Sequence, residues 1–423
     1  MSLNMILIIE KFLLILFIIL IPFQDSGLQK FSRYLGQYLS NWPLIILILL
    51  EFYKCIFIKK YLKKFYLKYF IIISAYVSII SIIPILSYLD SYYIDKIIYT
   101  FFVNYSIFFA KCFILLYIIK NFKNTYFKYI VIAYLVTLIG FFICDVIGFS
   151  GGFLVHSSDL VLLEEKGRAR GFSSEPSFFG YTLVIFTLLT MYYIKKRWIK
   201  FIVLITSSIV LWIAGSKGSL IIAFFVGLLY VVKAKTNFFI KCIILLICLS
   251  AGAYLWINLY VYALGFADGE GVITTISFVT RIVTILISLF ILINYPLGIG
   301  ISGVFGIYFL ENMTYVYDIF SSIFFSGVTL DGSELFGMLN QGTNAYGVGI
   351  KSGFFQNVAY FGLPFICMFI YYTHKMNKYL NRKNEILLWI VFIYSILSIM
   401  TYVTIGYETI LLWGIILSNQ KNM

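Results

Sequence analysis

Five residues carry the chemistry this sequence offers. Arg168, Arg170 and Glu175 lie in the run Arg168-Ala-Arg170-Gly171-Phe-Ser-Ser-Glu175-Pro176-Ser-Phe-Phe-Gly180. Lys217 sits in Gly215-Ser216-Lys217-Gly218, and Arg281 heads an apolar run that ends in Asn294-Tyr-Pro296-Leu-Gly298-Ile-Gly300. A guanidinium meets two phosphate oxygens in a planar fork, and an ammonium adds a point charge. Cations held at one depth therefore suit a diphosphate. Glu175 has two roles open to it. It can serve a substrate hydroxyl as general base or positioning acceptor, or it can complement the N-terminus of a helix that starts at Pro176.

The elements that must position these residues are membrane helices. The chain is 62% hydrophobic and 12% charged, with a mean hydropathy of +0.97. Apolar runs recur at about the 20-residue length that spans a bilayer core. The sequence predicts an all-α, polytopic integral membrane protein of about 12 transmembrane helices, one domain over 1–423. The spans fall near 4–22, 43–58, 69–89, 97–119, 129–149, 177–194, 201–214, 219–232, 242–262, 353–373, 385–404 and 406–419. An outer loop occupies 150–176. A large outer segment occupies 263–352, broken by an apolar helix near 282–294 that either dips part-way into the membrane or, if 282–310 makes two full crossings, raises the count to fourteen.

Charge sets the sidedness. Five loops hold clustered Lys and Arg, the densest being Lys59, Lys60, Lys63, Lys64 and Lys68, and the positive-inside rule makes these loops cytoplasmic. Both termini are then cytoplasmic. The net charge of +14 follows from topology, which argues against nucleic acid as a partner. Nine cations remain on the outer side against that bias. Arg168, Arg170, Lys217, Arg281 and Lys351 all adjoin span ends there. Charge kept at a membrane boundary marks a functional site by default. The competing explanation is contact with lipid headgroups, or pairing with Glu164, Glu165, Asp268 or Glu270.

Other chemistry is excluded by spacing. The six cysteines form no CxxC pair and adjoin no histidine, so neither a disulfide nor a metal site is expected. His156 and His374 stand apart from any second ligand. Gly215-Ser216-Lys217-Gly218 is half a phosphate loop on the wrong side for ATP, and two glycines in a tight interhelical turn explain it equally well.

Arg170-Gly171-Phe-Ser-Ser-Glu175-Pro176 resembles the R-x-G-x-x-x-E-P motif of bacterial oligosaccharide repeat-unit polymerases, the O-antigen and capsule polymerases. Gly215-Ser216-Lys217-Gly218 is similar to the G-S-R-[GT] turn shared with O-antigen ligases, with Lys for the usual Arg. Arg281 followed by Tyr295-Pro296-Leu-Gly298-Ile-Gly300 is similar to the Arg and h-P-L-x-G-x-G that open the family's large periplasmic segment. These motifs cover roughly 168–300.

The resemblance implies a GT-C-like membrane glycosyltransferase of the bacterial cytoplasmic (inner) membrane, using neither nucleotide sugar, metal nor cofactor. Its partners would be undecaprenyl-diphosphate-linked oligosaccharides and the lipid bilayer, and a chain-length regulator protein is compatible with it. Arg170 and Arg281 would neutralise the leaving diphosphate, with Arg168 and Lys217 assisting, and Glu175 would orient or deprotonate the acceptor hydroxyl. A ligase usually carries a histidine in the large outer segment, and 263–352 holds none. A transporter or flippase should show broken helices and charge near the midplane in matching halves. Glu10, Glu51, Lys54 and Lys111 are the deeper charges, and they form no matching set.

Overall fold

A computed structural model describes residues 3–24, 38–57, 64–89, 94–149, 169–173, 175–233, 272–273, 276–324, 329–330, 335–336, 350 and 352–421. The described chain is almost wholly helical. It runs α1 (Leu3–Leu20), α2 (Asn41–Phe57), α3 (Lys64–Leu86), α4 (Ile94–Asn121), α5 (Phe127–Phe141), α6 (Pro176–Tyr193), α7 (Arg197–Ile213), α8 (Lys217–Lys233), α9 (Ile276–Asn294), α10 (Val304–Phe324), α11 (Gly353–Lys383), α12 (Ile386–Thr401) and α13 (Tyr407–Lys421). The one sheet feature is a parallel pairing of two residues each, β1 (Val272–Ile273) and β2 (Thr329–Leu330).

Helices fall on the expected spans throughout the described residues; the stretch 242–262 lies outside them, as does most of 150–168. Among the described residues, four helical segments are long and apolar enough to cross a membrane: Ile94–Asn121, Asn124–Val146, Pro176–Tyr193 and Gly353–Lys383. Large apolar side chains such as Ile56, Phe57, Trp212 and Ile293 face outward, as expected where lipid is the solvent. These features describe a helical, membrane-embedded protein.

Among the described residues the buried apolar side chains form four clusters. The largest joins α1, α2, α4–α8, the far end of α11, α12 and α13, with α6 at its centre: Tyr181, Leu183, Ile185, Phe186 and Leu189 are fully enclosed. The second is a hairpin of α9 and α10 packed on α11, and two small ones tie α3 and α4 to residues 301–304 and Phe361. Val279, Val283, Ile287 and Ile291 form one seam, and Phe305, Phe309, Met313, Val316 and Phe320 the facing one. Both seams repeat at helical spacing.

Two features depart from expectation. Helix α10 lies within the segment read as an outer loop, because Glu311, Asn312 and Asp318 dilute its apolar run. Helix α11 is broken at Gly362 (φ 60°, ψ −147°), two residues before Pro364. A Cβ at Gly362 would overlap the Pro296 carbonyl. Leu363 N–H donates to Pro296 O (2.8 Å), and Ile299 and Gly300 N–H donate to Ala359 O (3.1 Å) and Tyr360 O (2.9 Å). The Pro296–Gly300 segment thus crosses the break and uses the backbone groups it frees.

Candidate functional site

The stretch 169–180 is built on the end of α5. There the helix loosens into a π turn, Phe142–Val146, which turns Asp145 toward the incoming chain. Its carboxylate accepts from Arg170 N–H (3.1 Å) and Gly171 N–H (2.7 Å). Gly171 has φ +52°, and a Cβ there would sit 2.7 Å from the Phe179 ring; glycine is required on both counts. Phe172 is buried, stacked on Phe23 with ring centroids 4.3 Å apart. Gln24 N–H donates to Phe172 O (3.0 Å), and its amide donates to Thr182 Oγ1 (2.8 Å). This framework leaves Arg170 half-buried, near enough to Cys144 for its charge to be felt there.

Glu175 occupies the N-cap position of α6, with Pro176 at N1, but its carboxylate makes no capping bond. It accepts instead from Ser177 Oγ (3.1 Å). Only its backbone serves the helix, through Phe179 N–H to Glu175 O (3.1 Å). The half-buried carboxylate is therefore not committed to the helix terminus.

One turn into α6, Gly180 meets the α7–α8 turn. A Cβ on Gly180 would lie 2.6 Å from both Ser216 Oγ and Ser219 Oγ. These hydroxyls are bonded to each other (2.7 Å), and Ser219 Oγ is bonded to Tyr402 OH (2.8 Å). Gly218 lies against the Tyr402 ring from the same turn. Lys217 begins α8, the end of a helix that favours anions; its side chain lies outside the described residues.

Arg281, on α9, reaches the same tyrosine. Its guanidinium carbon stands 6.0 Å from the centroid of the Tyr402 ring, a cation–π distance. Tyr402 begins the α12–α13 turn, which also receives the start of α11: Gly353 N–H donates to Val403 O (2.8 Å) and Ser352 Oγ to Ile399 O (3.0 Å). Tyr402 thus meets the start of α8 and Arg281 of α9 directly, while α6 reaches it through Ser219 and the α11 N-terminus bonds its neighbours Val403 and Ile399. The described contacts of Arg170 lie on the α5 side of this junction, and the ring contact of Arg281 on the α12 side. Arg168, Lys166 and Lys351 lie outside the described residues.

The junction continues inward as hydroxyls. Tyr402 OH meets Tyr394 OH (3.1 Å), and Tyr394 stacks on Tyr181, whose OH meets Thr409 Oγ1 (2.6 Å) and Ser395 Oγ (3.2 Å). Glu408 is buried beside Gly406, and the Lys111 ammonium donates to Ile405 O (2.7 Å). Sequence reasoning missed Tyr402 and Glu408. In a chain with 35 tyrosines, nothing local marks Tyr402. Glu408, in the first turn of a span, carried the signal of a charge inside an apolar helix.

Lys54 is held between Glu10 (2.5 Å) and Glu51 (2.7 Å), so three of the deeper charges form a clamp between α1 and α2. Among the described residues no group of three His, Cys, Asp or Glu has the arrangement of a metal site, and Cys55, Cys112, Cys144 and Cys367 are free thiols. No family model matches this chain, and the comparisons with curated proteins and with solved structures return no match.

Proposed function

We propose that this protein is a membrane glycosyltransferase that polymerises lipid-diphosphate-linked oligosaccharide repeat units at the outer face of the cytoplasmic membrane. The observation that carries the proposal is the convergence on Tyr402. Gly218 and Arg281 lie against the Tyr402 ring, and Gly180 joins them indirectly through Ser219, which bonds the Tyr402 hydroxyl. Helices α7, α8, α12 and α13 have 17, 17, 16 and 15 residues. They reach about 22–26 Å, short of a hydrocarbon core of about 30 Å. Such helices favour a junction recessed below the membrane surface, where a lipid diphosphate would enter from the side.

In this mechanism an acceptor hydroxyl on a single lipid-linked repeat attacks the anomeric carbon of the growing glycan. The carbon–oxygen bond to the diphosphate breaks, and the lipid diphosphate leaves with the electron pair. Arg281 and Arg170, with Arg168 and Lys217, oppose the charge that develops on it. Glu175 accepts the hydroxyl proton, a role left open to it by the absence of a capping bond.

The transporter reading gains one observation, the break in α11. Ion sites at broken helices present unused carbonyls and helix ends. Here Leu297 O and Phe361 O accept from Tyr76 OH (3.0 and 2.9 Å), and Pro296, Ala359 and Tyr360 carbonyls accept backbone N–H groups. With these groups engaged internally, the break serves packing better than ion binding.

Deleting the gene and analysing lipid-linked glycans tests the proposal. Single repeat units on lipid are the expected outcome. Accumulated polymer on lipid would mean a ligase, and repeats trapped on the inner leaflet a flippase.

A further inference from the structure

The far end of α11 carries a second charged site, separate from the junction. Lys375, Lys378, Arg382 and Lys383 line an open surface cleft of about 530 Å³, completed by Tyr379 and by Gln420 of α13. Lys375, Lys378 and Arg382 follow one another at helical spacing on one face. All four cations are exposed, and none of the six lining residues is a carboxylate. The nearby Glu385 acts on Tyr192 and Tyr379.

Two ordinary explanations account for part of this. Cations in a last helical turn complement the helix dipole, which covers Arg382 and Lys383. Lys375 and Lys378 lie before that turn. A topological excess of positive charge needs no cleft and no fixed geometry, yet this end of the helix is held firmly. Met376 and Leu380 are buried, Trp389 Nε1–H donates to Asn377 Oδ1 (2.7 Å), and Lys233 stands 3.6 Å over the Trp389 ring and bonds to Asn381. Asn384, at φ 55°, closes the helix. Like charges at helical spacing on a fixed, exposed helix end repel weakly, and an anion among them relieves that repulsion.

The position of the cleft along α11 points to the kind of anion. Beyond the break at Gly362, α11 continues over 363–383, about 31 Å at the α-helical rise and close to the thickness of a hydrocarbon core. Exposed Tyr371 and Tyr372 stand where the apolar run ends, as interfacial aromatics do. The cations begin one turn later, just past the apolar run. Basic pockets between helix ends at that level recognise anionic lipid headgroups.

We propose that Lys375, Lys378, Arg382 and Lys383 form a binding site for an anionic phospholipid headgroup carrying two phosphates, of the diphosphatidylglycerol type. This rests on the membrane-embedded reading and is independent of glycosyl transfer.

The test uses the full-length protein in phosphatidylcholine nanodiscs, titrated with diphosphatidylglycerol and read by native mass spectrometry. Saturable binding of one lipid is expected, weakened roughly tenfold or more by the K378Q/R382Q pair. The pair K195Q/K196Q, which removes equal charge elsewhere, should change it less than about twofold, and the charge-keeping pair K378R/R382K should retain binding. Equal losses in both neutralised pairs, or no saturable binding, would overturn the proposal. So would equal displacement by inorganic phosphate, which would mean a phosphate site without lipid selectivity.

Discussion

Gly180 and Ser216 touch so closely that a single methyl group on the glycine would come within 2.6 Å of the serine hydroxyl. That contact joins the helix behind Glu175 to the turn that carries Lys217. Gly180→Ala should therefore displace the turn rather than fill a void. Overpacking of this kind costs about 1–3 kcal/mol, so thermal unfolding in detergent should shift downward and glycan chain growth should fall. Wild-type melting and activity together would show that the turn moves freely.

Asp145 is the anchor of the arginine stretch, since its carboxylate takes two backbone N–H groups. Asp145→Ala leaves both without that acceptor, at a cost of about 1–3 kcal/mol for each that stays buried. Faster limited proteolysis near 169–173, with the rest of the chain intact, is the expected result. An unchanged cleavage pattern would mean the loop is held mainly by the Phe172–Phe23 stack.

Glu175 separates two explanations cleanly. A capping carboxylate lost to alanine typically lowers stability by about 1 kcal/mol. Because Glu175 makes no capping bond, Glu175→Ala should leave the melting temperature nearly unchanged while chain growth is lost. A clear drop in melting temperature with activity retained would restore the helix-terminus role.

For Tyr402, ring and hydroxyl have separate duties. Tyr402→Phe keeps the surface facing Arg281 but removes the bonds to Ser219 and Tyr394, so about 1 kcal/mol of stability should go with much of the activity kept. Tyr402→Leu should lose activity as well. Equal activity in both variants would mean that the ring does not position Arg281.

Much of this arrangement was legible in the sequence because membranes make residue patterns blunt. Long apolar runs fixed most helices, and charge left over from topology picked out Arg170, Lys217 and Arg281. Helix α10, the second arm of the α9–α10 hairpin, was hidden because hydropathy averages over a helix. The repeat Phe305, Phe309, Met313, Val316, Phe320 nonetheless carries its seam. The convergence on Tyr402 could not be read at all, since it joins residues on α6, α8, α9 and α12 through packing. The break at Gly362 was obscured because Gly and Pro are common in membrane helices; only the crossing segment at Pro296 shows why the glycine is needed.

The most direct measurement of the central claim is chain elongation by the purified protein in liposomes supplied with the lipid-linked repeat unit, without nucleotide sugar and with a chelator present. A ladder of lipid-linked polymers should form with the wild type and be absent with Arg281→Ala and with Arg170→Ala, both still inserted. Arg170→Lys should elongate poorly, because the fork becomes a point charge. No ladder from the wild type, or an unaltered ladder from either alanine variant, would contradict the account.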